Sequence, residues 1–394
     1  MKHHFTYGAD ISSLASLEEL GATFKDKDGT TKDLFVLLKD AGFTSIRLRL
    51  FVDPYSLDGE PYGGGTNDLA RTLSLAKRAN AHGFPVVLNF HYSDFWADPG
   101  KQIVPKAWQQ MHFDELLGQI NNYTLEVLQA FRAENINISH IQIGNEVTNG
   151  MLWPDGRLYE TEEYVRHMAG YIDKRWAPYT NIDIKENEAG EGYFTLGCFL
   201  NAGINAARKI YPESKIIIHL DRGGDQALYQ EFFTNIHPLL LDFDVIGLSY
   251  YPYWHGSFSD LTENVRYLQA NYKEEIMIME TSYAYAGEDG DKPFVVTNTK
   301  TPVPDGFPPY TKDGQAAYLT MLFKKVRALE IAGLYYWEPA WIVVPGDSWA
   351  TAAGRAYINE SDKEDGNEWG NQALFDQTGA PLPALYAYLN YLKE

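Results

Sequence analysis

Two acidic residues, Glu146 and Glu280, each end a short apolar stretch that is typical of a β-strand. Glu146 closes residues 141–146 (IQIGNE) and Glu280 closes residues 276–280 (IMIME). In barrels of alternating strands and helices, active sites lie at the C-terminal ends of the strands. Two carboxylates that meet there can cleave a glycosidic bond, one as acid and one as nucleophile. The sequence therefore predicts Glu146 as acid/base and Glu280 as nucleophile of a retaining glycoside hydrolase; the alternative is two surface glutamates at strand ends.

The elements that must position this pair form a repeating strand–helix pattern. Alternating strands and helices favour an α/β fold, and eight repeats indicate a (β/α)8 TIM barrel. An open doubly wound sheet is the alternative, but no glycine-rich dinucleotide fingerprint follows the first strand. The predicted strands are 7–11, 45–51, 85–92, 140–146, 215–221, 243–251, 275–282 and 332–338.

Helix signals are clear between several of these strands. Asp68 is expected to open a helix that ends at Gly83, another helix is predicted for residues 114–134, and a short one for residues 34–40. Long βα loops are predicted after strands 4, 7 and 8, over residues 150–193, 284–310 and 339–383. Loops of this length in a compact domain are usually functional. Residues 1–394 are interpreted as one catalytic domain, with residues 1–5 a candidate remnant of expression.

Polar and aromatic side chains at other strand ends are predicted to bind substrate. Arg49 is expected to keep the nucleophile ionised, because a nearby cation favours a carboxylate, whereas Arg47 fits a buried structural role equally well. Asn145 is expected to bond the sugar 2-OH, and Trp337 to form the floor under the sugar. The predicted substrate-binding residues are Arg49, His91, Asp94, Trp96, Asn145, His219, Asp221, Tyr250 and Trp337.

Two of these histidines also allow a metal-dependent alternative. His91 and His219, with Asp94 or Asp221, could ligate zinc in a barrel hydrolase. The paired histidine spacings of many metal sites are absent. Hydrogen bonding to sugar hydroxyls is therefore the preferred role.

Composition narrows the classes of partner. The chain has 27 Tyr, 20 Phe and 9 Trp, which suits stacking on sugar rings but equally suits a large barrel core. A formal net charge of −20 argues against nucleic acid or anionic membranes as partners. One cysteine excludes an intrachain disulfide. No stretch is apolar enough to span a membrane.

Seven segments, spread in order along the whole chain, together resemble glycoside hydrolase family 53, the endo-β-1,4-galactanases. They are residues 8–12 (GADIS), 45–49 (SIRLR), 91–99 (HYSDFWADP), 142–146 (QIGNE), 279–281 (MET), 336–341 (YWEPAW) and 371–376 (NQALFD). The resemblance implies retaining endo-hydrolysis of β-1,4-galactan, in type I arabinogalactan of pectin side chains. It also implies the same roles for Glu146 and Glu280. A secreted, periplasmic or surface-attached bacterial enzyme is expected, with its export signal not part of this sequence.

The sequence departs from this family at a calcium site. Several bacterial members are expected to hold calcium between the loops after strands 7 and 8, using an aspartate-rich stretch with histidine and asparagine. Here residues 288–294 read EDGDKPF, so only Asp289 and Asp291 remain as candidate ligands. Two carboxylates make a poor calcium cage. No cofactor is expected to be required for catalysis, and a structural calcium is an open alternative to a solvated acidic turn.

Two further alternatives concern the substrate and the activity. Related barrels share the Asn-Glu pair, so mannan, xylan or glucan could replace galactan as the polymer. A glycan-capture protein without turnover is the alternative outside the enzymes, and the presence of both carboxylates weighs against it. The expected partners are therefore β-1,4-galactan and galacto-oligosaccharides.

Overall fold

Eight parallel strands close into a barrel in the computed structural model, which describes residues 5–159, 189–287 and 294–393. Neighbouring strands along the chain pair with one another, and the last strand pairs with the first. The predicted (β/α)8 fold is confirmed, with strand ends shifted by a few residues. The barrel strands are β1 (Thr6–Asp10), β2 (Ser45–Leu50), β3 (Val86–Phe90), β4 (Ile138–Ile143), β5 (Lys215–Leu220), β6 (Val245–Ser249), β7 (Glu275–Glu280) and β8 (Gly333–Trp337).

Helices follow the strands along the described ranges. Two start as the sequence predicts, because the side chains of Asp33 and Asp68 accept hydrogen bonds from the first turns of α2 and α3. Gly83, just past the end of α3, has a φ of +78°, the left-handed conformation that glycine adopts readily. The helices are α1 (Leu14–Glu19), α2 (Leu34–Asp40), α3 (Leu69–Ala81), α4 (Phe113–Ala133), α5 (Ala189–Ile210), α6 (Gln226–Ile236), α7 (Phe258–Asn271), α8 (Lys312–Ala328), α9 (Ala352–Tyr357) and α10 (Ala387–Tyr391).

The interior of the barrel is filled by a small apolar cluster that is separate from the larger core outside it. Its buried members come from five strands and include Met277, Met279 and Tyr335, with Val87, Ile217 and Val245 completing the cluster. The Tyr335 hydroxyl donates to Ser45 Oγ over 2.9 Å, so its polar end is paired. This cluster closes the barrel axis and leaves polar side chains nearer the C-terminal ends of the strands to line an open site.

The C-terminal rim, where the strands end, carries long connections. The connection after β8 contains α9, whereas those after β4 and β7 include residues outside the described ranges. A further long connection, residues 51–68 after β2, was not predicted. In it, Gly64 has a φ of +56°, and a Cβ there would come within 2.6 Å of the Trp96 ring. Glycine is therefore required where this loop meets the rim. Among the described helices, none is long and apolar enough to cross a membrane.

At the opposite end of the barrel, His140 makes the fold sensitive to acid. It is half-buried beside Lys215, with which it pairs in register. Burial, aided by Lys215, lowers the pKa of His140 from 6.5 to about 4. The unfolded chain then takes up a proton at a higher pH than the folded one. Stability is therefore lost as pH falls from about 6.5 towards 4.

Replacing His140 with glutamine is expected to reduce this loss by about 1 to 3 kcal/mol between pH 7 and pH 4.5. Urea unfolding of both proteins at the two pH values measures it. If the free energy of unfolding falls between pH 7 and pH 4.5 by the same amount in the variant as in the wild type, His140 is not the group responsible.

Candidate active site

Glu146 and Glu280 face the same space at the C-terminal rim. Glu280 is the last residue of β7, and Glu146 follows β4 with a left-handed φ of 46°. Ser249, the last residue of β6, joins them: it pairs in register with Glu280, and its hydroxyl donates to Glu146 Oε1 over 2.5 Å. Both glutamates are buried, with relative exposures of 8% and 7%. Two carboxylates from distant parts of the chain are thus brought together in a buried site.

Glu280 is buried, but a cation and a hydrogen-bond donor lie beside its carboxylate. Its Oε1 contacts Arg47 Nη1 at 2.9 Å, and its Oε2 accepts a hydrogen bond from the Tyr251 hydroxyl over 3.0 Å. Burial raises the pKa of Glu280 above its ordinary value, and the positive charge of Arg47 opposes that rise. The two partners hold both oxygens, which fixes the orientation of the carboxylate.

Arg47, rather than the predicted Arg49, contacts Glu280. Its guanidinium also bonds Asp10 Oδ2 (2.9 Å), Gln142 Oε1 (3.1 Å) and Asn145 Oδ1 (3.0 Å). An extended arginine side chain is about as long as the distance that a strand rises over two residues. Arg47 therefore starts deeper in the barrel and ends level with the rim. Arg49, nearer the rim, bonds Glu338 and the carbonyl oxygen of Gly64 instead.

Glu146 lies in an environment that favours its protonated form. Burial raises the pKa of Glu146 well above its ordinary value, and the negative charges of Glu280 and Asp221 raise it further. The hydrogen bond from Ser249 offsets only part of this rise in the pKa of Glu146. The proton of the pair therefore resides on Glu146 while Glu280 carries the negative charge.

A buried chain of hydrogen bonds leads from Glu146 through Ser249 to His219. Ser249 Oγ lies 2.9 Å from His219 Nε2, and His219 Nδ1 lies 3.0 Å from Gln142 Nε2. Burial, with the charge of Arg47, lowers the pKa of His219 well below its ordinary value. A neutral His219 that accepts from Gln142 at Nδ1 donates from Nε2 to Ser249, whose proton is then directed at Glu146. His219 thus supports Glu146.

Asn145, Asp221 and His91 lie beside the pair, with much of their hydrogen bonding already used. Asn145 Oδ1 accepts from Arg47 and Asn89, and its Nδ2 donates to the carbonyl oxygen of Ala97. Asp221 accepts from the Thr148 hydroxyl over 2.6 Å. His91 Nδ1 accepts from the backbone of Ala97, and burial lowers the pKa of His91 well below its ordinary value. His91 is therefore neutral.

Two predicted substrate contacts point away from the pair. Tyr250 donates to the carbonyl oxygen of Gly256 and packs on Phe258, so it lies between the barrel and α7. Its neighbour Tyr251 contacts Glu280 instead. Asp94 is fully buried and accepts from Lys106 and from the backbone of Asp53. Asp94 therefore fastens the loops after β2 and β3 together.

Tryptophans form a continuous surface across the rim. The rings of Trp96 and Trp337, both predicted, have centroids 6.3 Å apart. Trp369 and Trp254, which were not predicted to bind substrate, extend this surface: Trp369 lies 5.0 Å from Trp337 and 6.1 Å from Trp254. Trp341 is fully buried beneath it, and its indole donates to Asp347. Trp96, Trp254 and Trp369 are half-exposed, so part of each side chain is accessible from outside.

A family model matches almost the whole chain. The family model described as Glycosyl hydrolase family 53 matches residues 6–388. The chain belongs to glycosyl hydrolase family 53. It is therefore a glycoside hydrolase, as the two carboxylates predicted.

Similar family 53 proteins span nearly the whole chain. An endo-beta-1,4-galactanase of Bacillus subtilis strain 168 is 34% identical over 98% of this chain and 86% of that protein. The solved GH53 catalytic domain of Ignisphaera aggregans has a TM-score of 0.83 at 34% identity, covering 98% of this chain and 96% of that one. A fungal beta-1,4-galactanase structure has a TM-score of 0.73 at 26% identity, covering 98% and 99%.

Neither metal alternative gains support from the residues that the structure describes. Asp289 and Asp291, the candidate calcium ligands, lie outside those residues. Within residues 5–159, 189–287 and 294–393, no group of three or more His, Cys, Asp or Glu side chains could hold a metal ion. His91 and His219, considered for zinc, are engaged with the loop after β3 and with Ser249.

Proposed function

We propose that this family 53 enzyme is a retaining endo-hydrolase of β-1,4-galactan, including the galactan of type I arabinogalactan, with Glu146 as acid/base and Glu280 as nucleophile. The observation that carries the proposal is the difference in the surroundings of the two carboxylates: a cation contacts Glu280, whereas burial and the negative charges of Glu280 and Asp221 raise the pKa of Glu146. Pairs of carboxyl groups with such unequal environments are typical of retaining glycosidases. The galactanase names of similar proteins support the choice of polymer.

In the first step, an oxygen of Glu280 attacks C1 of the sugar as the glycosidic C1–O bond breaks. Glu146 transfers its proton to the departing oxygen, so the leaving sugar departs as a neutral alcohol. The positive charge that develops on the ring is stabilised by the neighbouring carboxylate. Arg47 and Tyr251 keep Glu280 aimed, since each holds one of its oxygens.

In the second step, Glu146, now ionised, takes a proton from water while the water oxygen attacks C1. The bond between C1 and Glu280 breaks, and both carboxyl groups return to their starting states. Two inversions at C1 retain the β configuration. The hydrogen bond from Ser249 stabilises the ionised Glu146 between the two steps.

The tryptophan surface supports an open groove for a polymer. Trp96, Trp254 and Trp369 are half-exposed, and Trp337 connects Trp96 to the other two. Sugar rings present apolar C–H faces that stack on aromatic rings. We propose that successive galactosyl units lie on these rings while Asn145 bonds the 2-OH at the cleavage point.

A panel of purified polysaccharides tests the proposed substrate. Reducing-sugar release from galactan, mannan, xylan and glucan is measured, and the galactan products are followed by chromatography over time. We expect galactan to be cleaved at least about 100-fold faster than the others, with oligosaccharides of several lengths appearing first. If another polymer is cleaved faster, that polymer and not galactan is the substrate. If none of the polymers is cleaved, the glycan-capture alternative is favoured.

The pH dependence of kcat/KM is expected to be bell-shaped, with an optimum near or below neutral. Activity requires an ionised Glu280 and a protonated Glu146. The pKa of each is raised above its ordinary 4.5, that of Glu280 less because Arg47 opposes the rise. Activity should therefore appear as pH rises through the pKa of Glu280 and disappear as pH rises through the pKa of Glu146. Activity that climbs steadily past pH 9 would contradict this assignment.

Removal of divalent cations is expected to leave turnover unchanged within about twofold, because the proposed chemistry uses only carboxylates, a proton and water. Dialysis against a chelator, followed by assay on galactan, measures this. The melting temperature measured on the same samples separates a structural calcium from a catalytic one. A loss of kcat that calcium restores, at unchanged melting temperature, would contradict the prediction.

The proposed substrate also bears on location. Galactan is a polymer too large to enter a cell intact, so its endo-hydrolysis is expected outside the cytoplasmic membrane. We propose that the enzyme acts in a bacterial periplasm, at the cell surface or after secretion.

A further inference from the structure

Glu338, directly after β8, is a third buried carboxylate near the proposed catalytic pair. It is 2% exposed and adopts a left-handed φ of 52°. Its Oε1 accepts from the Arg49 guanidinium and from the backbone N of Ser13, and its Oε2 accepts from the Ser13 hydroxyl over 2.6 Å. A buried carboxylate in a strained backbone conformation persists only where its surroundings hold it in place.

The contacts of Glu338 continue, link by link, to Glu280. Arg49, held by Glu338, lies with its Nη1 3.6 Å from Asp10 Oδ1. The other oxygen of Asp10 bonds Arg47 Nη1 at 2.9 Å, and the same Arg47 nitrogen lies 2.9 Å from Glu280 Oε1. These five side chains alternate in charge and come from β1, β2, β7 and the residue after β8. We call them the charge chain: Glu338, Arg49, Asp10, Arg47 and Glu280.

The charge chain holds three carboxylates and two guanidinium groups, so one carboxyl group can carry a proton without leaving an arginine unpaired. Burial raises the pKa of Glu338 to about 7, with Arg49 opposing the rise and Asp10 adding to it. Other groups near Arg49 are Asp347, in the loop after β8, and the neutral His91 on the loop after β3. The Ser13 hydroxyl can donate to an ionised Glu338 or accept from a protonated one, so the contacts of Glu338 survive in both forms.

Arg49 has two carboxylates within reach, and the distances show which one holds it. It bonds Glu338 directly, whereas Asp10 is 3.6 Å away and bonds Arg47. Without Glu338, the buried Arg49 would retain Asp10 as its nearest carboxylate, because an unpaired buried cation is costly. Asp10 would then be drawn away from Arg47, which orients Glu280.

We propose that Glu338 is a positioning residue for the nucleophile, which acts on Glu280 through Arg49, Asp10 and Arg47. The inference rests on the proposed role of Glu280. Glu338 affects the orientation of Glu280 through its contacts. A side chain that keeps these contacts without the charge should therefore preserve that orientation. Glutamine keeps the length and the accepting oxygen, whereas aspartate keeps the charge and loses the reach.

The test compares Glu338→Gln, Glu338→Asp and Glu338→Ala with the wild type. We expect Glu338→Gln to stay within about threefold of wild-type kcat, Glu338→Asp to lose about 10-fold and Glu338→Ala about 100-fold, with KM changed by less than about threefold. The control is Glu274→Ala, which removes a buried carboxylate that bonds His237 at the opposite end of the barrel. It should lower the melting temperature and leave kcat unchanged.

The rate of covalent labelling of Glu280 by a 2-deoxy-2-fluorogalactosyl fluoride reads out the nucleophile directly. Glu338→Ala should slow labelling about as much as it lowers kcat. A Glu338→Ala enzyme that loses only thermal stability, or in which KM rises while kcat and labelling hold, would overturn the inference. If Glu338→Ala does not fold, a Glu338→Gln enzyme that loses as much activity as Glu338→Asp would overturn it as well. Label on a residue other than Glu280 in the wild type would instead contradict the proposed function.

Discussion

Replacing Glu280 with glutamine is expected to lower kcat on galactan by about 10⁴-fold or more. Glutamine has nearly the same shape, and its one accepting oxygen can face Arg47 while its NH2 group donates to the Tyr251 hydroxyl. Its neutral amide oxygen cannot form the ester bond to C1 on which the proposed double displacement depends. Initial rates of reducing-sugar release, at enzyme concentrations high enough to detect the residual activity, measure the loss.

A matched control lies on the same strand. Glu275, the first residue of β7, pairs with Lys215 at the opposite end of the barrel over 2.6 Å. Glu275→Gln removes the same charge from the same strand and should keep kcat within about twofold. Comparable activity of Glu280→Gln and Glu275→Gln would show that the carboxylate at the rim is not the nucleophile.

Replacing Glu146 with alanine is expected to lower kcat on galactan by about 10³- to 10⁴-fold, because the departing sugar oxygen then leaves without a proton. The loss should depend on the leaving group. A dinitrophenolate departs readily as an anion, so the first step on a dinitrophenyl β-galactobioside should proceed nearly as fast as in the wild type. The glycosyl-enzyme should then accumulate, since Glu146 also activates water.

Azide provides the second readout for this variant. It is already anionic and fits the space that the removed carboxylate leaves, so it can attack C1 without a general base. Azide should therefore speed turnover of the dinitrophenyl substrate by Glu146→Ala and give a β-galactobiosyl azide. Equal losses on both substrates, together with no response to azide, would remove Glu146 from the acid/base role.

The fold was predictable because the strands and helices of the barrel have clear sequence patterns. Parallel strands buried on both faces, such as Ile216–Ile218, read as continuous apolar runs. Helix starts such as Asp68 have a local cause, the side-chain cap, that does not depend on the rest of the molecule. The loop over residues 51–68 was missed because its role arises from contacts with Trp96 and Arg49, which are distant in sequence.

The sequence predicted which residues form the candidate site better than it predicted the contacts between them. Residue type and position at a strand end indicated Glu146 and Glu280 without knowledge of their partners. The choice between Arg47 and Arg49 depended on side-chain length and on the register of β1 with β2, which pairs Asp10 with Arg47. Neither is visible from spacing.

The end of β6 decides how much could be predicted about Tyr250 and Tyr251. β6 ends at Ser249, and the predicted strand ran on to Tyr251. The sequence did not show which of the two tyrosines turns inward once the strand has ended. Ser249, whose hydroxyl bonds Glu146, gave no signal by type, since serine occurs at many strand ends.

Covalent trapping followed by peptide mapping tests the central claim most directly. A 2-deoxy-2-fluoro-β-galactosyl fluoride slows both steps through its fluorine at C2, while the fluoride leaving group restores the first, so the glycosyl-enzyme accumulates. Digestion and mass spectrometry then locate the sugar. A single sugar on Glu280 is the predicted result, and a sugar on any other residue would contradict the account.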